Sequence, residues 1–342
     1  MEIYSYKYEY VYKSFLEVDL INEFTTGKEQ PGWILLRLFA KSVCDNIIFF
    51  KLIHALFVNF SIAHFFKKHT THIFSAVLAY FIVSYFNYNF EILRESISVS
   101  IFLLAFDFMI AGKWLKYLAY FFVAYLFHES ALVMLIIPFF FLFRKLTIGY
   151  MFGLLMIIYF VFLQIDLMSI LLEIVPDQAY FYDKFYAYMN SSTYGENEVN
   201  LLMFTLASFV MPVISYYILR LYRRNNYFSI IILISVVFNL LTAKIFIFYR
   251  FNNYILIPLS VAYVEVIYII SKKIVICKKE VLSIPLLIVY LMYKTYSIYF
   301  QNESMANGKF YNRYYPYSSL IDRGISNDRI KFMNNIFRSQ YR

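Results

Sequence analysis

Ten apolar runs separated by short polar loops leave this chain one environment in which to fold. They fall at about 47–66, 72–88, 95–111, 114–127, 130–143, 147–165, 200–219, 227–243, 252–271 and 281–300. A helix crossing a bilayer needs roughly 20 mostly apolar residues, and about 17 suffice. The fourth and fifth runs are shorter, at roughly 14 residues and ~21 Å each by helical rise. They flank His128-Glu129-Ser130 and predict a hairpin whose tip lies below the membrane surface. Charged residues make up 15% of the chain against about a quarter of a soluble domain. Mean hydropathy is +0.60, which is more apolar surface than a globular core absorbs. A soluble enzyme, a secreted disulfide scaffold and a disordered chain are excluded. The expected fold is all-α, a polytopic integral membrane protein with about ten transmembrane helices and a long outer loop.

Orientation follows from the basic residues of the loops. Lys67 and Lys68, Lys113 and Lys116, Arg144 and Lys145, Arg220, Arg223 and Arg224, and Lys272, Lys273, Lys278 and Lys279 all fall on one side, with Glu280 the single acid among them. That side reads as cytoplasmic. The opposite side receives residues 1–46 and the loop 166–199, which holds Lys184 against Asp166, Glu173, Asp177, Asp183, Glu196 and Glu198. Three regions result: an outer N-terminal segment 1–46, a multi-pass membrane domain 47–300, and a polar tail 301–342. Residues 31–43 read as an interfacial amphipathic helix with Arg37 and Lys41 on one side. The polar first 46 residues carry no signal segment at Met1, which leads to the expectation of a spanning helix upstream. The net charge of +9 lies in clusters between apolar runs, so it reads as topology and not as a nucleic-acid groove.

Ionisable groups at membrane depth are costly and mark candidate functional positions. Arg94 opens the third run, His128 tips the short hairpin, and Lys244 and Arg250 bracket an apolar turn before the ninth. All four fall on the outer side, where guanidinium groups match phosphate oxygens in bidentate fashion. Plainer readings stand beside these. An Arg or Lys at a helix end snorkels to headgroups, and a His at a helix boundary serves as hydrogen-bonded structure. Lys51, Asp107, Glu265 and Lys294 fall inside runs and either pair across helices or line a cavity. His64, His69 and His72 lie beside Lys67 and Lys68 and read as a solvated loop, since no carboxylate or Cys ligand accompanies them. Cys44 and Cys277 are the two cysteines, too few for a disulfide framework. No GxxxxGK[ST], HExxH or GxSxG motif occurs, and no paired Gly/Pro-broken spans recur in two halves.

The stretch Tyr85-Phe86-Asn87-Tyr88-Asn89-Phe90-Glu91-Ile92-Leu93-Arg94-Glu95-Ser96-Ile97-Ser98 is followed by an apolar run and a basic turn, Lys113-Trp114-Leu115-Lys116. Then comes Ala124-Tyr125-Leu126-Phe127-His128-Glu129-Ser130-Ala131. This arrangement resembles the EpsG family of Wzy-like polymerases. In their pattern an Arg-Gln opens a span, a basic cytoplasmic turn follows, and His-x-Ser-Ala precedes the next apolar run. Tyr249-Arg250-Phe251-Asn252-Asn253-Tyr254 is similar to the family's later Arg…Tyr segment. The family's Gln is Glu95 here, a carboxylate whose place beside Arg94 offsets part of its charge.

The resemblance implies a reaction: transfer of a glycan chain from a polyprenyl diphosphate to the sugar of another lipid-linked repeat unit, in capsule, O-antigen or exopolysaccharide biosynthesis. It implies charge stabilisation of the leaving diphosphate by Arg94 and Arg250. The acceptor hydroxyl needs a proton acceptor, His128 first, with Glu129 and Glu95 as rivals. Glu95, Glu129 and Lys244 are expected to contact substrate. Neither a metal nor another cofactor is expected. The loop 166–199, with Tyr180, Tyr182, Tyr186, Tyr188 and Tyr194, is a candidate cap over the site. Expected partners are the polyprenyl-diphosphate-linked oligosaccharide, membrane lipid, a flippase and a chain-length regulator. The expected location is the bacterial cytoplasmic membrane with the site facing outward. Two alternatives remain open: a membrane O-acyltransferase of surface glycan, and a polysaccharide-lipid flippase or transporter.

Overall fold

The structure, a computed structural model, describes residues 30–44, 46–164, 170, 204–222, 227–274, 283–300, 302–303, 308–309 and 311. The loop 166–199, the first 29 residues and most of the tail therefore lie outside the described residues, as do the expectations placed on them. The described chain is helical apart from a two-residue antiparallel pairing of Asn302–Glu303 with Gly308–Lys309.

The helices follow the apolar runs in order. A first helix, α1 (Pro31–Val43), has proline at its start, where the missing N–H costs nothing. Next is α2 (Ile47–His69), capped by Asn46, whose Oδ1 accepts from the Ile48 N–H at 2.8 Å. Then α3 (Ile73–Tyr80) runs on through two π-helical turns, Phe81–Tyr85 and Asn87–Glu91. The short hairpin is α5 (Trp114–Tyr125) and α6 (Val133–Phe140), reached from α4 (Leu93–Ile110). After α7 (Ile148–Gln164) and α8 (Met211–Tyr222) come α9 (Tyr227–Lys244), α10 (Tyr249–Ile269) and α11 (Ser283–Tyr299). Four of the described helical stretches are long and apolar enough to cross a membrane: Ile48–His69, Thr205–Tyr222, Tyr227–Lys244 and Phe246–Lys272.

Packing sorts the helices by burial. Along α4 and α10 nearly every turn is enclosed, including the polar Ser96, Ser98, Ser100, Asn253 and Ser260. By contrast, α2 exposes Leu52, Leu56 and Phe60, and α11 exposes Ile288, Met292 and Tyr296. Each set is spaced by four and so forms a single stripe on one helix face. Stripes of that kind on the outside of a bundle suit lipid contact.

The ends of the bundle differ in chemistry. At the basic end, Lys68 Nζ meets Asp107 Oδ2 at 2.8 Å, and Arg220 Nη2 donates to the Leu146 carbonyl at 2.9 Å. Thr70 Oγ1 donates to Glu265 Oε1 at 2.9 Å, joining the ends of α2 and α10. This accounts for two of the intramembrane acids as pairings across helices. His64 is exposed, in keeping with the solvated reading, whereas His69 and His72 are packed. The His69 ring sits 4.4 Å from that of Phe65 and 3.4 Å (Nε2) from Asp107 Oδ1, and His72 stacks on Tyr268 with centroids 3.4 Å apart. The difference arises because α2 continues to His69, carrying it against Phe106 and Phe228.

A turn at the same end depends on backbone geometry alone. Gly112 has φ 67°, and the Lys113 N–H returns to the Phe108 carbonyl at 2.8 Å, closing α4 before α5 begins. A Cβ on Gly112 would meet no atom within 4 Å. Gly112→Ala is therefore expected to cost about 1–2 kcal/mol from left-handed backbone strain alone, seen as a lower thermal midpoint in detergent.

The N-terminal helix covers the residues the sequence reading assigned to it. Arg37 is 2% exposed, while Leu35, Phe39 and Val43 face outward. Arg37 shares the buried face of α1 with Trp33, Ile34 and Ala40, and Lys41 is half-buried. The start of α1 rests on the hairpin: the Gly32 N–H donates to the Leu126 carbonyl at 2.8 Å, past the end of α5. The approach requires glycine, because a Cβ there would sit 2.8 Å from that oxygen.

Candidate functional site

Opposite the basic end, the starts of α1, α4 and α10 meet the tip of the α5–α6 hairpin. Arg94 is the second residue of α4. Its Nη1 donates to Gln30 Oε1 at 3.3 Å, and Gln30 Nε2 donates to Glu129 Oε1 at 3.1 Å. The amide is thus oriented by its partners, carbonyl toward the cation and NH2 toward the anion. Among the described residues Gln30 is the hydrogen-bond partner of Arg94, and a guanidinium has five N–H donors to offer. Gln30 lies just ahead of α1 and is held in place by the contact of Gly32 with the hairpin.

Glu95 points elsewhere. Neighbours on a helix do not share a face, and the Glu95 carboxyl turns into the core, 3% exposed, where Asn253 Nδ2 donates to it at 2.9 Å. Arg250, one turn earlier on α10, acts on that carboxyl as the charge of opposite sign. The expected offset of Arg94 by Glu95 is therefore redirected: the carboxyl hydrogen-bonds α10. Asn253 is fixed twice, since Tyr88 donates its hydroxyl hydrogen to the Asn253 carbonyl. The π-helical turns of α3 carry Tyr88 to this position; such turns recur at functional sites.

His128 ends the connection from α5. Its Nδ1 accepts from the Ser130 N–H at 3.1 Å and lies 2.7 Å from Ser130 Oγ. A ring nitrogen that accepts a backbone N–H carries no proton, so in the neutral ring Nε2 bears it. From Ser130 a hydroxyl chain continues: Ser130 Oγ is 3.1 Å from the Tyr254 hydroxyl, which donates to Ser98 Oγ at 2.9 Å, and Ser98 donates to the Ala124 carbonyl at 2.9 Å. The chain ties α4, α5 and α10 together beneath the hairpin tip. Tyr254→Phe removes its central donor, with an expected loss of about 0.6–1.7 kcal/mol, measurable as a lower detergent melting temperature with the helical content unchanged.

The candidate residues thus fall into three linked groups at one end: Arg94 with Glu129, Glu95 with Arg250, and His128 with the hydroxyl chain. Lys244 closes α9 and takes no part in these bonds. Of the residues that join them, Gln30 escaped the sequence reading, while Ser98, Ser130, Asn253 and Tyr254 stood in the quoted motifs without a role assigned to them. A run of serines at alternate positions in α4 and the Asn pair at 252–253, all inside apolar segments, were the available signals. Among the described residues no three His, Cys, Asp or Glu side chains gather as metal ligands would.

Helices arranged in this way, with a polar cluster at one end and the basic loops at the other, define a multi-pass membrane protein with a candidate site at one end. A family-level match spans residues 3–319 and identifies the chain as a member of the EpsG family. Membership places it in polysaccharide biosynthesis, among Wzy-like polysaccharide polymerases. None of the curated proteins and none of the solved structures matches the chain.

Proposed function

We propose that the chain polymerises polyprenyl-diphosphate-linked oligosaccharide repeat units, with about ten membrane crossings and the polar cluster on the outer face of the bacterial cytoplasmic membrane. The observation that carries this reading is the Arg94–Gln30–Glu129 bridge, which sets a cation and a carboxylate side by side at the end away from the basic loops.

In the reaction, the acceptor hydroxyl oxygen of one unit attacks the anomeric carbon of another. The bond from that carbon to the diphosphate oxygen breaks, and the diphosphate leaves with the electron pair. Arg94 receives the charge developing on the leaving group, and Arg250 contributes positive potential from α10. The proton of the hydroxyl passes to a carboxylate. Glu129 fits that role better than His128, whose Nδ1 is engaged by Ser130. The Nε2–H of His128 instead suits donation to an oxygen of the substrate. Glu95 and Asn253 position the start of α10 from within the core, and Lys244 adds charge at the rim. No metal is required in this scheme. A flippase supplies the lipid-linked units, and a chain-length regulator limits the product.

The test is the glycan profile of cells lacking this chain. Single repeat units on polyprenyl diphosphate at the outer face support polymerisation. Polymer of normal length lacking acyl groups would favour an O-acyltransferase, and lipid-linked units retained inside would favour a flippase.

A further inference from the structure

Below Arg94 runs a groove with no assigned occupant. Its volume is about 490 Å³, and it lies between α1 and α2 on one side and α4 and α5 on the other. Ile97, Ile101 and Leu104 form its α4 wall, Ala119 and Val123 its α5 wall, which Phe127 extends just past the helix end, and the surface it presents is apolar throughout. We propose that this groove holds the first isoprene units of the polyprenyl diphosphate, with the diphosphate at Arg94. The assignment rests on the polymerase reading above and adds to it the path of the lipid.

Three observations converge on this occupant. Arg94, Ile97, Ile101 and Leu104 follow one another at the three- and four-residue spacing of a single helix face, so the guanidinium stands at the head of the groove's own wall. Phe127 precedes His128, so the α5 wall also ends at the polar cluster. Along α4, from Ile97 to Leu104, the groove extends about 10.5 Å by helical rise. Val123 is 47% exposed and Phe57, on the facing α2, is 38% exposed, leaving the slot open sideways, where a lipid would enter.

The transition from charge to hydrocarbon decides the ligand class. From Arg94 to Ile97 the rise is about 4.5 Å, and no polar surface lies below it in the groove. A polyprenyl diphosphate bonds its diphosphate directly to the hydrocarbon chain. A glycerophospholipid interposes a glycerol and two ester groups, whose oxygens would be buried without donors. The His54 ring in the α2 wall directs Nε2 to the Leu93 carbonyl at 3.0 Å and to Ser96 Oγ at 2.9 Å, both on α4. Its role is to tie the two walls together.

The experiment uses the full-length protein in nanodiscs and a benzophenone-bearing farnesyl diphosphate as photoprobe. The expected result is crosslinking to α4 and α5 peptides that undecaprenyl phosphate displaces and phosphatidylglycerol does not. Ala119→Trp, which fills the groove from its open side, is expected to lower the crosslink at least tenfold. Phe122→Trp, on α5 outside the groove, is expected to leave it unchanged. Equal displacement by phosphatidylglycerol would overturn the proposal in favour of an ordinary lipid slot. Crosslinks elsewhere, or crosslinks indifferent to Ala119→Trp, would overturn it as well. Because the readout is binding, failure of the polymerase reading shows separately: crosslinks in the groove with polymer unchanged in cells lacking the chain would leave the groove assigned and the reaction wrong.

Discussion

Replacing Arg94 with Ala is expected to lower repeat-unit polymerisation by about 10²–10³-fold, the usual effect of removing one donor aimed at developing charge. The protein should still reach the membrane at its normal level, because the side chain is partly exposed and its described hydrogen bond is a single one, to Gln30. The measurement is the ratio of polymer to single lipid-linked units, with protein amount followed by immunoblot. Arg94→Lys separates charge from geometry. An ammonium keeps the positive charge but loses the planar fork that meets two phosphate oxygens at once, so Lys should recover a minor part of the rate. Full activity in Arg94→Ala would return this residue to headgroup contact.

The second large effect is expected at the hairpin tip, where Glu129 and His128 divide the work. Glu129→Gln keeps the shape and the ability to accept from Gln30 Nε2 while losing the basicity, and the expected fall is about 10²–10⁴-fold, the contribution of a positioned proton acceptor. His128→Asn is the informative partner. Asn caps a helical turn well and still carries N–H donors, so it should preserve the fold of the tip and a large share of activity. His128→Ala loses both. If Glu129→Gln were fully active and His128→Asn inactive, the proton would pass through the imidazole, and the bonding of Nδ1 to Ser130 would have to change during the reaction.

How much of this was legible in the sequence follows from the range of the forces involved. The helices could be placed because a bilayer demands long uninterrupted apolar runs, a local property of the chain. Arg94 and His128 stood out for the same reason, as polar residues where apolar ones belong. What could not be read were contacts between distant positions: Gln30 reaches Arg94 across 64 residues and Glu129 across 99, and Asn253 reaches Glu95 across 158. The inward turn of Glu95 followed from helix geometry, but its partner did not. The direction in which α1 turns its charged side was equally out of reach, since it depends on packing partners far along the chain; Arg37 turns toward the protein.

The amide of Gln30 is a spacer with a direction. A guanidinium and a carboxylate in direct contact would fix each other's position, whereas here each meets one end of a neutral amide. One side chain from a distant helix start thereby sets the distance between two opposite charges at one edge of the molecule. A glycine two residues later, pressed against the hairpin, holds that spacer in position.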